Sequence, residues 1–472
     1  MESGFNKDYY IATACNKTFV PPSGDLFTTG LAADVMFFRG SLDKLGIYPD
    51  IYQIGKYKSA GDTFTQKKMT DAHREYINSL LDDLYGRYVD GIAKARNKTP
   101  EAVKALLDNA PYNAGQAKDT GLIDGAAYHD EVEKELKKQL GYKDNDELHI
   151  AKAGEYKQIS QESLGLNRGE KIAIVYAAGD IVSGKSEFGG NGEETIGSDS
   201  LVRTLEEVRN DPSIKAIVLR VDSPGGSGLA SDIIWRAIES AKEKKPVVVS
   251  MSDVAASGGY YIACNANKIV AEPSTITGSI GVVGGKPVVK GLYDWLGITN
   301  EYVMRGKNAG IFRESEKFSD TERQKFEELI KSTYYNEFLP KVAKGRGKTT
   351  EDIDKVGQGR VWTGQQGKER GLVDEYGGLD KAIEIAKQLA KIPTEKGVQR
   401  VNLPKPPGFF EQLMSGGDDD NSSDARAQTK QQEAILAALP EDARRAFRYM
   451  QLLDRAKNGD VLYLLPFELR IR

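Results

Sequence analysis

The chain has 472 residues, with 65 Lys and Arg against 69 Asp and Glu, which gives a formal net charge of −4. This balance gives no electrostatic basis for binding nucleic acid. No run of about eighteen apolar residues occurs, so no transmembrane helix is predicted. A hydrophobic content of 39% over this length is typical of a globular protein with two or three domains.

The first segment, residues 1–124, enters a helical pattern by Tyr9, and no strand is predicted before it. We interpret it as a repeat that lacks its opening strands. A long helix is predicted from Arg74 to Ala95, because apolar residues recur there at helical spacing. Residues 125–168 are charged and are predicted to form a linker that contains helices.

The second segment, residues 169–400, alternates apolar strands with amphipathic helices. Strands are predicted to begin near Lys171, Ala216 and Pro246, and this alternation indicates an α/β core. A long helix is predicted from Thr321 to Lys344, either as an ordinary covering helix or as an oligomer contact.

The C-terminal part divides into two pieces of different composition. Residues 403–432 contain MSGGDDDNSSDARAQTKQQ, which cannot bury a core and is predicted to be a disordered linker. Residues 433–472 regain helical periodicity and end in the apolar run LYLLPFELRIR. We expect this helical tail to dock on the rest of the chain.

The chain repeats itself at an offset of about 250 residues, which indicates a tandem duplication. The matching segments begin at Tyr9 and Tyr260, Leu45 and Leu296, Ile92 and Val342, and Thr120 and Arg370. The two cysteines, Cys15 and Cys264, fall in matching positions and form no metal-binding spacing, so we expect both to be buried small residues.

Ser257 stands in the segment SDVAASGGYY, between an apolar strand and a helical pattern. A serine on such a strand-to-helix turn presents its hydroxyl to solvent, and the backbone N–H groups beside it can stabilise an oxyanion. A helix cap is the structural alternative. The three histidines, His73, His129 and His149, lie far upstream in settings that look like surface. A Ser-Lys dyad, with a lysine whose pKa is lowered by burial, is therefore favoured over a histidine base.

Two further segments of the second repeat end strands in glycine-rich turns. These are SPGGS, Ser223 to Ser227, and the TGS turn at Ser279. Sites in α/β proteins form where strand ends meet, although SPGGS alone is equally consistent with a plain turn.

Together these motifs resemble the signal peptide peptidase A family, also called protease IV, in its long form with two repeats. They are RVDSPGGS, VSMSDVAASGGYYIA, STITGSIGV, RVWTGQQGKERGLVD and, in the first repeat, IGKYKSAGDTFTQKKMT. The resemblance implies tandem crotonase-like domains of the Clp protease type. It implies Ser257 as nucleophile, Lys58 as general base and Ser279 as the residue that orients the lysine. Gly226 and Gly258 would form the oxyanion hole.

The resemblance carries further expectations. It implies hydrolysis of membrane-derived or remnant signal peptides, without metal or cofactor. It also implies a homo-oligomer, a tetramer in the long form, and a membrane location with the catalytic part outside the cytoplasm. The first repeat has Asn6 where the second has Ser257, and Ala309 lies near the counterpart of Lys58. Each repeat is thus predicted to keep one member of the dyad.

Two other functions stay open at this stage. A crotonase-fold enzyme acting on acyl-CoA would share the glycine-rich turn, but it would use a carboxylate base and would need no elbow serine. A non-catalytic peptide-binding scaffold would be marked by loss of Ser257 or Lys58, and both are present.

Overall fold

The computed structural model describes residues 1–143, 145–160, 162–187 and 194–404, together with the backbone of Leu462–Leu464. The rest of the predicted linker and helical tail, within 403–472, lies outside the described residues. Among the helices of the described part, none is long and apolar enough to cross a membrane.

The described residues form α-helices and β-strands in alternation, as an α/β protein requires. The strands are β1 Gly4–Phe5, β2 Phe19–Val20, β3 Asp25–Phe27, β4 Tyr48–Ile54, β5 Tyr112–Asn113, β6 Gly125–Ala126, β7 Glu170–Ala178, β8 Asp180–Val182, β9 Thr195–Gly197, β10 Ile214–Ser223, β11 Gly225–Ser227, β12 Val247–Ala256, β13 Lys268–Ala271, β14 Ile276–Gly278, β15 Val282–Val288, β16 Val361–Thr363, β17 Glu375–Tyr376, β18 Val398–Leu403 and β19 Leu462–Leu464.

The helices follow the same order along the chain. They are α1 Asn6–Ala12, α2 Arg39–Lys44, α3 Asp62–Thr65, α4 Asp71–Arg96, α5 Pro100–Asp108, α6 Ala114–Asp119, α7 His129–Leu140, α8 Ala153–Gln158, α9 Ser198–Asn210, α10 Gly228–Lys242, α11 Gly258–Ala263, α12 Lys290–Leu296, α13 Asp320–Ser332, α14 Leu339–Arg346, α15 Thr350–Val356, α16 Gly364–Glu369 and α17 Leu379–Leu389, with a π-helical turn at Thr333–Phe338. The two long predicted helices correspond to α4 and to the run from α13 to α14.

The chain packs into two compact units. The small unit contains Met1–Val35 and Ile77–Leu166, and the large unit contains Met36–Tyr76 and the described part of Asn167–Phe467. The small unit has a three-stranded sheet, β1-β3-β5, and the pair β2-β6. Its element order α5-β5-α6-β6 recurs in the large unit as α15-β16-α16-β17, in line with the sequence repeat.

A sheet of eight strands forms the centre of the large unit, with the path β16-β14-β12-β10-β7-β18. The central strands β7, β10 and β12 pair in parallel. Their side chains alternate between two layers: Ala173 and Val175 pack in the core that contains α9 and α10, and Ile172 and Ile174 pack in the core that contains α17. Because both faces are covered, most residues of these strands are apolar.

A second sheet of the large unit has the order β4-β15-β19-β11-β8-β9. Strand β4 pairs antiparallel with β15 over its whole length, from Tyr48 opposite Val288 to Ile54 opposite Val282. This pairing brings the segment that follows β4, which contains Lys58, into the large unit. Strand β19 lies between β15 and β11.

Candidate active site

Ser257 lies at the junction between β12 and α11, as the elbow motif predicts. Its backbone has φ +55° and ψ −113°, a conformation that a residue with a side chain rarely adopts. The Ser257 N–H donates to the Gly278 carbonyl at 2.8 Å, and the Ser257 carbonyl accepts from the Tyr261 N–H at 2.8 Å. These bonds hold the strained turn in place. Ser257 is fully buried, so the expectation of an exposed hydroxyl is wrong.

Lys58 reaches Ser257 across 199 residues of sequence. Its Nζ donates to Ser257 Oγ at 2.8 Å and to Ser279 Oγ at 3.1 Å. A third, longer bond of 3.4 Å goes to the Ser279 carbonyl. Lys58 is fully buried, and this burial lowers its pKa from 10.5 to about 7. With its pKa lowered this far, the amine is neutral in part of the molecules near pH 7 and then has a lone pair available to accept a proton.

Ser279 follows directly after β14 and is also fully buried. Its backbone has φ +52°, and its N–H donates to the Arg360 carbonyl at 2.7 Å. Strand β14 pairs with β12 in parallel, with Gly278 opposite Ala256. This register places Ser279 beside Ser257, so that one amine contacts both hydroxyls.

Gly226, in β11, and Gly258, at the start of α11, lie against each other. A Cβ atom added to Gly258 would lie 3.2 Å from the Gly226 nitrogen and 3.1 Å from Gly225 Cα. A Cβ on Gly226 would meet the Ile181 carbonyl oxygen at 2.0 Å. Only glycine permits this close approach. The backbone of Gly258, which directly follows Ser257, therefore approaches the backbone nitrogen of Gly226.

The two serines of SPGGS have structural roles. Ser227 caps α10, because its hydroxyl accepts from the Ala230 N–H at 3.4 Å. The Ser223 hydroxyl accepts from the Gly225 N–H at 3.2 Å and shapes the turn before Gly226.

A loop from Gln358 to Arg360 holds Lys58, and the sequence motifs assigned it no role. The Gln358 carbonyl accepts from the Tyr57 N–H at 2.8 Å, and the Gly359 N–H donates to the Ile280 carbonyl at 2.7 Å. A Cβ on Gly359 would lie 2.5 Å from Lys58 Cα. The loop therefore contacts the segments of both Lys58 and Ser279. The sequence signal for this loop is the pair of glycines in GQGR, whose arginine is the first residue of the motif RVWTGQQGKERGLVD.

His73 does not lie on the surface as its sequence setting suggested. It is fully buried, and neither ring nitrogen has a hydrogen-bond partner among the described residues. Its ring stacks on Tyr76, with 5.2 Å between ring centroids, and Tyr76 Oη lies 2.6 Å from Ser59 Oγ. Burial lowers the pKa of His73 to about 4. His129 and His149 are exposed in the small unit, as predicted.

Asn6, the counterpart of Ser257 in the first repeat, has a structural role in the small unit. Its side chain exchanges two hydrogen bonds with the backbone of Gly30, and its Oδ1 also accepts from Tyr88 Oη at 3.2 Å. The predicted burial of the cysteines is correct for Cys264 and wrong for Cys15, which is exposed just beyond the end of α1.

Comparison with known proteins gives one family and several relatives. The profile of Peptidase family S49 matches residues 2–143 and 239–393. Serine protease SPPA, chloroplastic, from Arabidopsis thaliana is 40% identical over 87% of this chain and 61% of its own length. Protease 4 from Salmonella typhi is 36% identical over 81% of this chain and 62% of its own length.

The chain thus spans about three fifths of the length of these curated relatives. Among solved structures, a ClpP1 mutant from Listeria monocytogenes aligns with 44% of this chain and 94% of its own, at 16% identity and a TM-score of 0.30. This likeness is too distant to carry an argument.

Proposed function

Because this chain belongs to Peptidase family S49, we propose that it is a serine endopeptidase whose nucleophile is Ser257 and whose general base is Lys58. The observation that carries the proposal is the 2.8 Å bond between Lys58 Nζ and Ser257 Oγ. The burial that lowers the pKa of Lys58 to about 7 supports it, because a base must be neutral to accept a proton.

The proposed reaction passes through an acyl-enzyme. Neutral Lys58 takes the proton of Ser257 Oγ, and Oγ attacks the carbonyl carbon of the peptide bond. The backbone N–H groups of Gly226 and Gly258 stabilise the resulting oxyanion, each by roughly 3 kcal/mol. The Lys58 ammonium then gives its proton to the leaving amine. Lys58 next deprotonates a water molecule, which releases the acyl group and restores Ser257.

Ser279 is proposed to orient Lys58. Its hydroxyl accepts from Nζ at 3.1 Å, so the amine is held between two hydroxyl groups. A flexible lysine side chain that is held in this way loses less entropy in the transition state.

The substrate, assembly and location are proposed from the family resemblance. We propose that the substrates are apolar, membrane-derived peptides such as remnants of signal peptides. We further propose a homo-oligomer, with a tetramer as the expected form, that works at a membrane with its catalytic part outside the cytoplasm. The name of the Arabidopsis thaliana relative includes the word chloroplastic, which makes an organelle membrane a second candidate location.

The test is labelling with a fluorophosphonate probe followed by peptide mapping. The proposal predicts one modified serine, Ser257, and no labelling of Ser257→Ala or of a Lys58→Met variant that melts normally. An acyl-CoA enzyme with a carboxylate base, or a peptide-binding scaffold, would leave Ser257 unlabelled while the wild-type chain is folded. That result would overturn the proposed function.

A further inference from the structure

Lys58 lies between β4 and α3, in a segment that is neither helix nor strand. Its N–H donates to the Gly55 carbonyl at 3.0 Å, and the loop from Gln358 to Arg360 contacts it on one side. A segment without ladder hydrogen bonds needs further contacts to hold a long side chain in one place. Such contacts are made by the two residues next to Lys58 in sequence, Tyr57 and Ser59.

Ser59 is anchored to the beginning of α4 by a buried hydrogen bond. Its Oγ lies 2.6 Å from Tyr76 Oη, and both residues are buried, Tyr76 completely. Both belong to the large unit, which contains Met36–Tyr76. Because bulk water cannot replace a bond between two buried groups, its loss costs more than the loss of an exposed bond.

The bond on the other side of Lys58 is exposed. Tyr57 Oη donates to the Glu75 carboxylate at 3.1 Å from both oxygens, and the Glu75 side chain is 48% exposed. Water can replace this bond, so it holds the segment less firmly. Glu75 and Tyr76 are consecutive in α4, so one turn of this helix binds both neighbours of the base, and the buried contact of Tyr76 is the stronger one.

Tyr76 is itself held in place by its surroundings. Its ring stacks on His73, with 5.2 Å between ring centroids and 9° between ring planes. The His73 N–H donates to Thr70 Oγ1 at 3.2 Å, and Thr70 Oγ1 donates to the buried Asp62 at 3.4 Å. The beginning of α4 is thus joined to α3 as well. A side chain whose rotamer is locked by such packing is a firm support for a functional group.

We propose that Tyr76 is a positioning residue of the reaction, which acts through Ser59 to hold Lys58 Nζ against Ser257 Oγ. The inference rests on the proposed function, in which Lys58 is the base. Ser59 is bonded to Lys58 through the chain, so the backbone of the lysine follows the anchored serine. A displacement of about 1 Å between reacting groups can lower a rate by roughly two orders of magnitude.

The kinetic test uses Tyr76→Phe, which keeps the ring on His73 and removes only the hydroxyl. We expect the rate constant for labelling of Ser257 by a fluorophosphonate to fall about three- to tenfold, while labelling still reaches completion. A sample that contains misfolded molecules is instead labelled to a lower extent. Tyr9→Phe is the matched control and should keep the wild-type rate, because Tyr9 is fully buried in the small unit and donates to the Leu122 carbonyl at 2.6 Å.

A double-mutant cycle tests whether the effect passes through Ser59. Ser59→Ala should lower the labelling rate by a factor similar to that of Tyr76→Phe. The double variant should be no slower than the slower single variant, because all three chains lack the same bond. Factors that multiply in the double variant would mean that Tyr76 acts independently of Ser59, and would overturn the inference.

A stability measurement tests the position of Lys58 without relying on catalysis. Lys58→Met should raise the free energy of unfolding more at pH 7 than at pH 10, because the lysine amine is buried in the folded state. If Tyr76 holds the amine there, this pH-dependent gain shrinks in a Tyr76→Phe background, in which the amine can move toward water. The gain should stay complete in a Tyr9→Phe background. Denaturant unfolding at both pH values measures it.

The two measurements separate this inference from the proposed chemistry. A wild-type chain that is not labelled, but whose pH-dependent gain shrinks in Tyr76→Phe, would reject the peptidase mechanism and keep Tyr76 as the residue that positions the lysine. A wild-type labelling rate in Tyr76→Phe would overturn the inference and leave the proposed function standing, and so would a gain retained in full. Ser59→Ala serves both tests if thermal melts show that Tyr76→Phe is unfolded.

Discussion

Lys58 combines full burial with contact to two hydroxyl groups, and this burial favours its role as a base while it costs folding stability. Burial lowers its folded pKa to about 7, from 10.5 when exposed. Below pH 7 the folded state must hold a buried charge, so the full cost to folding stability is present. As pH rises from 7 to 10.5, Lys58 loses its proton in the unfolded chain as well. The two states then bind the same number of protons, and the cost to stability disappears. The order of magnitude at pH 7 is about 4 kcal/mol.

Lys58→Met should abolish peptidase activity and raise the free energy of unfolding at pH 7. Methionine fills a similar volume without carrying a charge, and the gain is bounded by about 4 kcal/mol because the bonds to Ser257 and Ser279 are lost. The gain should shrink when denaturant unfolding is repeated at pH 10. Lys56→Met is the matched control, since Lys56 is exposed on the same loop. An active Lys58→Met enzyme, or one strongly destabilised at pH 7, would exclude Lys58 as the buried base.

Ser279→Ala should slow the enzyme without stopping it. The variant removes one hydrogen-bond partner of Lys58 Nζ and leaves the bond to Ser257 Oγ in place. The loss of one such bond corresponds to roughly a tenfold fall in kcat/KM. Ser257→Ala should retain no turnover in the same assay. If the two variants are equally inactive, Ser279 has a direct chemical role rather than an orienting one.

His73→Phe should stabilise the protein in mild acid. The pKa of His73 is lowered from 6.5 to about 4 in the folded state. Above pH 6.5 the neutral buried ring costs no folding stability. As pH falls from 6.5 toward 4, the unfolded chain takes up a proton that the buried ring does not, and the folded state loses stability. At pH 5 the variant should be more stable than the wild type by about 2 kcal/mol, and at pH 7 the difference should be small. Urea unfolding at both pH values measures it. A stability gain that is the same at pH 5 and pH 7 would contradict the assigned cause.

At the scale of elements, the site depends on the loop from Gln358 to Arg360, because it contacts the segments of Lys58 and Ser279 alike. Gly359 has φ +74° and lies directly against the backbone of Lys58. The loop fixes the distance between the amine and the strand end with backbone groups alone, which move less than side chains.

Gly359→Ala should lower peptidase activity far more than the accompanying loss of folding stability can account for. The new Cβ would lie 2.5 Å from Lys58 Cα, so the lysine must shift. Gly297→Ala is the matched control, because Gly297 has φ +72° and no atom within 4 Å of the added Cβ. In both variants an alanine must adopt the left-handed backbone conformation, which lowers folding stability by about 1 kcal/mol. Thermal melts measure this loss. Equal activity in the two variants would mean that the loop does not position Lys58.

The local spacing of apolar residues predicted helices and strands well wherever a segment's own sequence determines its structure. The strands at Lys171, Ala216 and Pro246 and both long helices appear at or near the predicted positions, because apolar periodicity reflects the faces that are buried. Burial of single residues was harder to predict. His73 looked exposed among charged neighbours, yet Phe37 and Tyr76 cover it. Such cover comes from tertiary packing that no local window contains.

At the scale of the whole molecule, the pairing of β4 with β15 determines where Lys58 lies. The α/β fold class predicted from the alternation of elements is confirmed, and so is the family that the motifs resembled. The division into residues 1–124 and 169–400 stays a prediction. In the structure, Met36–Tyr76 packs in the large unit with Ser257. Spacing cannot predict that two residues 199 apart will meet, since strand pairing at this separation is set by the folded sheet; the motif resemblance supplied it.

The dependence of kcat/KM on pH tests the central claim, that a buried neutral lysine activates Ser257. The free enzyme should gain activity as pH rises, with half of the maximum near pH 7, the folded pKa of Lys58. A midpoint near 10.5 would mean that the base is an exposed lysine. A midpoint near 4, the folded pKa of His73, would contradict the Ser-Lys dyad and direct attention to that histidine.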